Sequence, residues 1–309
     1  MDEDSLAKVR RRFAEQIAKQ QKVGDPRLIE AFASVPREHF LGPGPWHVLN
    51  NTPDYVLTES DDPALVYVNA PIALDPIRRI NNGEPSLHIG LLAQLAPQPG
   101  DHVVQIGVGG GYFTAIIARL VEPGGRVTAI EYDAALAHRA AMNLGGERSI
   151  DVVHADGTSY DFDPADGIYV NAGATRPSPL WLDKLKPAGR LIMVLTAANR
   201  WGQVLKVQRP DTGYAATLLG PCGIIPCING RDAVSEAAFA TALAGGGMEH
   251  VKSLRREEHP ADDSCWMHCD GFCLSRRAPA QARTKSRIGA ISALSGNTTR
   301  ASASAGKPR

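Results

Sequence analysis

The chain has 309 residues, of which 43% are hydrophobic and 21% are charged, enough for one large domain or two small ones. Its 33 basic and 33 acidic residues cancel, so no net charge favours nucleic acid or a membrane surface as a partner. No apolar run approaches the ~18 residues of a spanning helix, the acidic N-terminus lacks a secretion signal's apolar core, and the five scattered cysteines indicate reduced thiols. We therefore expect a cytoplasmic protein with no membrane and no nucleic-acid partner.

Residues 1–68 are predicted to form helices followed by an irregular segment. Apolar residues recur there at helical spacing, at Leu6, Val9, Phe13 and Ile17. This stripe indicates an amphipathic helix over residues 5–22. Pro26 begins a second, short helix that ends by residue 40, and a loop rich in Pro and Gly follows at residues 42–46.

The next stretch, residues 69–86, has the composition of a loop, because Asn, Gly and Pro all favour turns. At its end, Ser86 is predicted to cap a helix over residues 87–95. Residues 97–101 then lead the chain into an apolar strand.

A strand, a glycine turn and a helix follow one another between residues 103 and 120. Glycines in such a turn allow close approach of the backbone to a ligand, and the helix N-terminus attracts anionic atoms. The glycines are spaced G-x-G-x-G from Gly107, and Tyr112 takes the place of the third glycine of the dinucleotide fingerprint. The spacing is instead typical of sites for S-adenosylmethionine (SAM), which has no pyrophosphate.

A second strand, residues 126–131, ends in Glu131, 24 residues after Gly107. An acid at this place accepts hydrogen bonds from ribose hydroxyls in nucleotide-binding α/β folds. Strands and helices then alternate up to residue 195, which predicts a parallel sheet with helices on both faces. A ligand is expected at the C-terminal edge of that sheet, which carries Gly107, Glu131, Asp156 and Asn171.

The rest of the chain is predicted to add antiparallel strands and a tail. Residues 203–219 alternate polar and apolar around a turn, which indicates a hairpin that closes the sheet. Residues 235–243 are predicted as a helix and residues 265–274 as one more strand. From residue 279 onward the chain is rich in Ala and Ser, basic and free of acids, which predicts a disordered, solvated tail.

No metal site is expected from the sequence. The run from Cys265 to Cys273 contains His268 and Cys269, but its spacing is not a common zinc pattern and no second ligand pair is evident. Three other histidines have no identifiable partner and are expected to be structural or exposed: His154, His250 and His259.

The chain resembles the protein-L-isoaspartate O-methyltransferases in six pieces that fall in the family's order over about residues 5–230. These are residues 35–40, 103–112, 130–133, 156–157, 185–191 and 223–226. The pieces at 36–40 and 223–226 separate this family from other SAM-dependent methyltransferases. Residues 231–309 lie beyond the resemblance.

The resemblance implies a class I methyltransferase fold, in which a doubly wound, mostly parallel, seven-stranded α/β sheet of Rossmann-like form binds SAM as methyl donor. Residues 1–68 would be an N-terminal extension and residues 69–230 the methyltransferase domain. Residues 231–278 would form a C-terminal extension packed on the core, followed by the tail at 279–309.

The resemblance also implies roles for single residues. The three glycines would wrap the methionine end of SAM, Glu131 would hold the ribose hydroxyls, and Asp156 with Gly157 would contact adenine. The cofactor site would comprise Gly107, Gly109, Gly111, Glu131, Tyr132, Asp156 and Gly157. The substrate site would comprise Asn81, Asn82, Gly83 and Asn171.

Two positions depart from the family's pattern. Gln105 stands where the family has an acid, and Gly83 stands where it has its functional serine. A carboxylate nucleophile is ionised at neutral pH, because its ordinary pKa is ~4, and it needs positioning more than a general base. Asn81, Asn82 and the backbone around Gly83 are therefore expected to orient a carboxylate, and no catalytic residue is assigned.

Several functions stay open from the sequence. The first is a SAM-dependent O-methyltransferase that acts on a carboxylate of a protein or peptide. The second is a methyltransferase of the same fold that acts on another peptide or a small molecule, and the third is a non-catalytic SAM-binding protein. An NAD-dependent enzyme is disfavoured because Tyr112 replaces the third dinucleotide glycine.

Overall fold

The computed structural model of the protein describes residues 2–50, 54–198 and 201–279. Helices α1 (Glu3–Gln20) and α2 (Pro26–Ser34) open the chain, and an aspartate side chain caps each by accepting a hydrogen bond from a backbone N–H of its first turn. The second helix ends at Ser34 because Pro36 holds the preceding residue in an extended conformation. Arg37–Phe40 then forms a separate 3-10 turn.

Two small antiparallel hairpins and helix α3 lie between α2 and the main sheet. Strands β1 (His47–Val48) and β2 (Val56–Leu57) form one hairpin, and β3 (Ala73–Asp75) and β4 (Ile80–Asn81) form the other. Between them lies a 3-10 turn, Pro63–Val66.

Helix α3 (Pro85–Leu95) begins two residues before the predicted helix over residues 87–95. Its N-cap position is Glu84, so the prediction that Ser86 caps the helix is wrong. Pro85 fits the first helical position, because its fixed φ suits a helix and its missing N–H is not needed there. Ser86 is fully buried, and its hydroxyl donates to the Glu84 carboxylate at 2.6 Å.

The strands of the main sheet and the helices that connect them lie in the rest of the described chain. The strands are β5 (His102–Ile106), β6 (Arg126–Glu131), β7 (Ile150–His154), β8 (Ala165–Ala174), β9 (Leu185–Thr196), β10 (Trp201–Gln208), β11 (Tyr214–Gly223), β12 (Ser253–Arg255), β13 (Cys265–Cys269) and β14 (Phe272–Ser275). The helices are α4 (Tyr112–Val121), α5 (Ala134–Asn143), α6 (Pro179–Lys184) and α7 (Ala233–Gly245).

Within the residues that the structure describes, ten strands form this sheet, in the order β13-β14-β12-β11-β10-β9-β8-β5-β6-β7. Strands β5 to β9 pair in parallel, which confirms the doubly wound α/β fold. Strands β10 and β11 form the predicted antiparallel hairpin next to β9. The chain runs outward from β5 through β6 and β7 and then returns to β8 on the other side. The switch point of the sheet therefore lies between β5 and β8.

The strands beyond residue 230 lengthen the sheet from the seven predicted strands to ten. Residues 265–274 were expected to form one strand, but they form the hairpin β13–β14. The turn between these strands contains Gly271, whose φ of +66° is rarely adopted by other residues. Apart from Pro279, the predicted tail lies outside the described residues.

Apolar side chains cover both faces of the sheet. One cluster joins α1–α4 to one face of β5, β6 and β8, and the other joins Trp181, Phe239 and Trp266 to the opposite face. Within the described part of the chain, no helix combines the length and apolar character needed to cross a bilayer.

Candidate functional site

The glycine turn after β5 lies at the switch point of the sheet. Gly107, Gly109 and Gly111 have φ values of +80°, +60° and +95°, which side-chain-bearing residues rarely adopt. A Cβ on Gly107 would lie 3.0 Å from the carbonyl oxygen of Asn171 in β8. The glycine turn therefore carries no side chain at the point where it approaches β8. This leaves room for a ligand beside the backbone.

Gln105 supports this turn from inside the protein. It is fully buried, its Oε1 accepts a 2.8 Å hydrogen bond from the Thr114 hydroxyl, and its Nε2 donates to the carbonyl of Gly107 at 3.3 Å. Thr114 belongs to α4, so Gln105 ties the turn to the helix that follows it. Gln105 thus braces the turn without adding a charge.

The Glu131 carboxylate lies directly against the glycine turn. Its Oε2 accepts hydrogen bonds from the backbone N–H groups of Val108 and Gly109, both at 2.8 Å. Its Oε1 accepts from the N–H of Asp133 at 3.0 Å. These three donors fix the orientation of the carboxylate at the end of β6.

Asp156 is fixed in a similar way after β7. Its Oδ1 accepts from the backbone N–H and the hydroxyl of Thr158, at 2.9 and 2.7 Å, and its Oδ2 accepts from Asn229 Nδ2 at 2.9 Å. Burial acts to raise the pKa of Asp156, but these hydrogen bonds hold it below its ordinary value. The carboxylate therefore stays charged. Asn229 was missed from the sequence because it follows β11 and has no motif around it.

One pocket of about 330 Å³ joins most of the predicted site residues, a size typical of small-molecule sites. Predicted residues that line it are Asn81, Asn82, Gly107, Gly109, Glu131, Tyr132, Asp156, Gly157 and Asn171. Two others are not part of its lining. Gly111 instead forms the N-cap of α4, and Gly83 faces the buried His88.

Asn82 lines the pocket and has one side-chain hydrogen-bond donor that is not used. Its Oδ1 accepts from the backbone N–H of Ile72 at 2.9 Å and from Arg37 at 3.3 Å. Its Nδ2 is buried and has no hydrogen-bond partner among the described residues. Asn81, by contrast, is engaged within the loop, because it accepts from the N–H of Gly83 and donates to the Tyr55 hydroxyl.

Arg37 holds the segment before this loop in place. The side chain is fully buried and donates to the backbone carbonyls of Val66, Val68 and Ala70 at 2.6 to 2.8 Å. Burial lowers the pKa of Arg37 to about 10, so it remains a cation at neutral pH. The same guanidinium bonds Asn82, so residues 66–70 and the pocket loop share one anchor.

His88 occupies the space that a side chain at position 83 would need. Gly83 has a φ of +77°, and a Cβ there would lie 2.2 Å from His88 Nε2. The His88 ring is 1% exposed, stacks on Phe113 with centroids 3.6 Å apart, and its Nδ1 lies 2.5 Å from the Tyr169 hydroxyl. Burial and the nearby charge of Arg37 lower the pKa of His88 to about 3, so the ring is neutral.

The hairpin β3–β4 forms one wall of the pocket, and Arg78 holds it there. Arg78 bonds to Asp75 of the same hairpin at 2.6 Å and to Asp133, the N-cap of α5. The guanidinium of Arg78 lowers the pKa of Asp133 below its ordinary value. The sequence did not reveal this role, because an arginine in a turn has no distinctive spacing.

The three histidines that had no partner in the sequence differ in their surroundings. His154 Nε2 lies 3.1 Å from the carbonyl oxygen of Tyr132, and His250 is exposed beside Glu249. His259 does have partners, since its Nε2 lies 3.6 Å from Cys265 Sγ. The sequence did not show this neighbour, because the loop before β13 brings His259 back to the hairpin β13–β14.

Known proteins resemble this chain over most of its length. The family model for protein-L-isoaspartate(D-aspartate) O-methyltransferase matches residues 9–227. A protein-L-isoaspartate O-methyltransferase of Methanopyrus kandleri is 30% identical over 235 residues, which are 74% of this chain and 94% of that protein. One of Aeropyrum pernix is 32% identical over 197 residues, which are 62% of this chain and 68% of the relative.

Solved structures show the same fold. A structure described as a putative protein-L-isoaspartate O-methyltransferase from Plasmodium falciparum, in complex with S-adenosyl-L-homocysteine, has a TM-score of 0.58 at 15% identity. The matched region covers 71% of this chain and 98% of the Plasmodium falciparum chain. A second structure, described as a protein-L-isoaspartate O-methyltransferase, has a TM-score of 0.54 at 22% identity, with 70% of this chain and 65% of its own covered.

Proposed function

The chain belongs to the protein-L-isoaspartate(D-aspartate) O-methyltransferase family, and from this membership we propose how its pocket is divided between SAM and a carboxylate substrate. As a member, it is a SAM-dependent methyltransferase that methylates carboxylates of proteins. The roles of its individual residues are our proposal. The observation that carries it is that a single pocket is lined both by the glycine turn with Glu131 and by the loop residue Asn82.

The residues on the sheet side of the pocket fit SAM. Gly107 and Gly109 leave the backbone bare, and a side chain at either place would meet Asn171 or Leu74. Glu131 and Asp156 are held rigidly by backbone and side-chain donors, so their carboxylates are already oriented. We assign the glycines to the methionine end, Glu131 with Tyr132 to the ribose, and Asp156 with Gly157 to adenine. Gly111 acts indirectly, because it starts α4.

When bound, SAM supplies an electrophilic methyl group on a cationic sulfur. The chain's part is to align a nucleophile with that methyl and to keep water out. Leu74, Ile106 and Ile225 line the pocket with apolar surface. A carboxylate nucleophile is ionised at neutral pH, so the site needs no general base for it.

The loop side of the pocket is assigned to the substrate. The unpartnered Nδ2 of Asn82 is a donor that a carboxylate oxygen can accept from, which offsets the cost of its burial. Asn171 lines the same pocket from β8, while Asn81 and Gly83 shape the loop. Because His88 fills the space at position 83, Asn82 takes over the positioning that the family's serine would give.

We propose an isoaspartyl residue of a protein or peptide as the methyl acceptor, in the cytoplasm. Support for the acceptor comes from the family and from the free amide of Asn82. Support for the compartment comes from the cysteines, all five of which are free thiols.

Methyl transfer from labelled SAM to matched peptides tests this proposal. We expect base-labile label on a peptide with isoaspartate and none on the same peptide with aspartate, since an ester is cleaved by mild base. Label that resists base, or equal label on both peptides, would contradict the proposed acceptor. Calorimetry with SAM alone tests the cofactor half separately, because absence of binding there would contradict the assignment of the glycine turn.

A further inference from the structure

Four side chains that commonly bind metals meet outside the methyltransferase pocket. His259 lies in the loop before β13, Cys265 and His268 lie in β13, and Cys273 lies in β14. One nitrogen or sulfur atom from each side chain lies within 4.8 Å of the corresponding atoms of the other three. None of the four side chains lines the pocket described above.

The separations within this cluster suit a tetrahedral cation. Zn²⁺ bonds of about 2.0–2.1 Å to nitrogen and about 2.3 Å to sulfur place neighbouring ligand atoms roughly 3.3–3.8 Å apart. Cys265 Sγ lies 3.6 Å from His259 Nε2 and 3.9 Å from His268 Nδ1. Small rotations of these side chains are therefore enough to surround an ion.

The surroundings of His259 prepare it as a ligand. Its Nδ1 lies 2.8 Å from the backbone carbonyl oxygen of Glu257, and a carbonyl can only accept a hydrogen bond. The ring proton therefore sits on Nδ1, and the lone pair of Nε2 faces the cluster. A backbone carbonyl that fixes the tautomer in this way is usual for a histidine that binds a metal.

The thiols also have donors beside them. The backbone N–H of Asp262 donates to Cys265 Sγ at 3.4 Å, which stabilises a thiolate. Arg255 is paired in register with Cys273, and its buried Nη1 has no hydrogen-bond partner in the described part of the chain. The Asp262 carboxylate lies 3.7 Å from Cys265 Sγ, and it accepts hydrogen bonds from Ser264.

We propose that His259, Cys265, His268 and Cys273 bind one Zn²⁺ as a closed structural site. Two Zn–S and two Zn–N bonds form, and the two thiol protons pass to solvent. Thiolate and imidazole ligands favour Zn²⁺ over Mg²⁺ or Ca²⁺, which prefer oxygen. Four protein ligands leave no open position, so the ion stabilises the fold and takes no part in the methyl transfer.

The ion ties the end of the sheet together. Strand β13 lies at the edge of the sheet, where β14 is its one neighbour among the described residues. The ion joins this hairpin to the preceding loop through His259. The family model ends at residue 227, so the site belongs to the part of the chain that this protein adds to the family fold. The sequence analysis expected no metal site because it considered only the run from Cys265 to Cys273. His259 lies six residues before that run.

Metal titration of the full-length protein tests the proposal. The protein is reduced, stripped with a chelator and titrated with Co²⁺, whose visible bands report tetrahedral geometry and whose thiolate charge-transfer band reports Co–S bonds. We expect one Co²⁺ per chain, displaced by one Zn²⁺, and a melting temperature several degrees higher with Zn²⁺ than without. No metal bound, or a Co²⁺ spectrum without thiolate bands, would overturn the site.

Single variants identify the ligands. We expect Cys273→Ser and His259→Asn to lose at least tenfold in affinity for Zn²⁺. Cys269→Ala is the matched control, because Cys269 lies in β13 with Cys265 and His268 but contacts the carbonyl of Phe272 and not the cluster. Equal loss in the control, or a Cys265–Cys273 disulfide found by mass spectrometry in the protein as isolated, would contradict the proposal. Methyl transfer measured on the same samples is a separate readout, so failure of one does not imply failure of the other.

Discussion

At the scale of single residues, Asn82 gives the sharpest test of the substrate site. Asn82→Asp keeps the oxygen that Ile72 and Arg37 donate to, but it replaces the unpartnered amide with a second carboxylate oxygen. We expect kcat/KM for a carboxylate substrate to fall roughly 10- to 100-fold, because a hydrogen bond to a charged group contributes about 1.5–3 kcal/mol. Steady-state kinetics with the isoaspartyl peptide measure this.

The free energy of unfolding of the same variant shows whether a loss of activity comes from a loss of stability. Because the new carboxylate lies beside the buried Arg37, we expect the free energy of unfolding of Asn82→Asp to stay within about 1 kcal/mol of the wild type. Asn82→Ala loses the acceptor as well and should be less stable. A fully active Asn82→Asp protein would show that the amide does not contact the substrate.

Gly83, where the resemblance would place a serine, has no room for a side chain. In Gly83→Ser the new Cβ meets His88 Nε2 at 2.2 Å, and the residue must keep a φ of +77°. We expect a loss of about 1–3 kcal/mol in the free energy of unfolding, measured by urea denaturation. Restoring the serine alone should therefore not increase the methyl-transfer rate.

A double-mutant cycle with His88→Ala separates the clash from the backbone strain. Removing the ring should relieve the clash, so Gly83→Ser should cost less in the His88→Ala background than in the wild type. The loss in free energy of unfolding that remains in that background is due to the positive φ of residue 83. Costs that simply add would mean that the two side chains do not compete for the same space.

At the scale of elements, the hairpin β3–β4 is held over the pocket by charges. Arg78 links Asp75 of the hairpin to Asp133 at the start of α5, and its side chain is about half exposed. Exposed ion pairs add little to global stability, so Arg78→Ala should unfold at nearly the wild-type urea concentration. The hairpin still forms a wall of the pocket, and we expect its loosening to raise the Kd for SAM about fivefold, or roughly 1 kcal/mol.

Arg79→Ala is the matched control for this prediction. Arg79 is the next residue in the same turn, but it pairs with Asp54 and does not line the pocket. Calorimetric titration of SAM into both variants compares them directly. Equal Kd values for Arg78→Ala and the wild type would mean that the hairpin keeps its place without Arg78.

Elements also show where sequence reasoning succeeds. The strand before Gly107, the acid ending β6 and the hairpin β10–β11 could be predicted, because apolar periodicity and turn residues are local signals. Arg78 and Asn229 could not, because their partners Asp133 and Asp156 are more than 50 residues away in the chain. The four side chains of the proposed Zn²⁺ site were not grouped from the sequence for a related reason, since the loop before β13 brings His259 back to the hairpin.

At the scale of the whole molecule, two apolar layers enclose one sheet, and His88 lies where three elements meet. The residue belongs to α3, stacks on Phe113 of α4 and contacts Tyr169 of β8. No carboxylate among the described residues shifts the pKa of His88, and the charge of Arg37 lowers it further. Protonation of His88 is therefore incompatible with the packed core, and we expect acid to lower the free energy of unfolding in part through this ring.

The direction of the effect follows from the two pKa values. His88 has a pKa of about 3 in the folded protein and its ordinary value of 6.5 in the unfolded chain. Between these values the unfolded chain binds a proton that the folded protein does not, so stability falls as the pH is lowered through this window. The contribution is complete above pH 6.5, and its loss amounts to about 1.4 kcal/mol per pH unit.

Urea unfolding at several pH values between 7.5 and 4.5 tests this, with His88→Gln as the comparison. The glutamine does not titrate and can still hydrogen-bond the Tyr169 hydroxyl. Burial also lowers the pKa of His102, but that group is present in both proteins and cancels in the difference. We expect the variant to be less stable than the wild type at pH 7.5 and the gap to close as the pH falls. Parallel curves for the two proteins would place the acid sensitivity of the fold at another group.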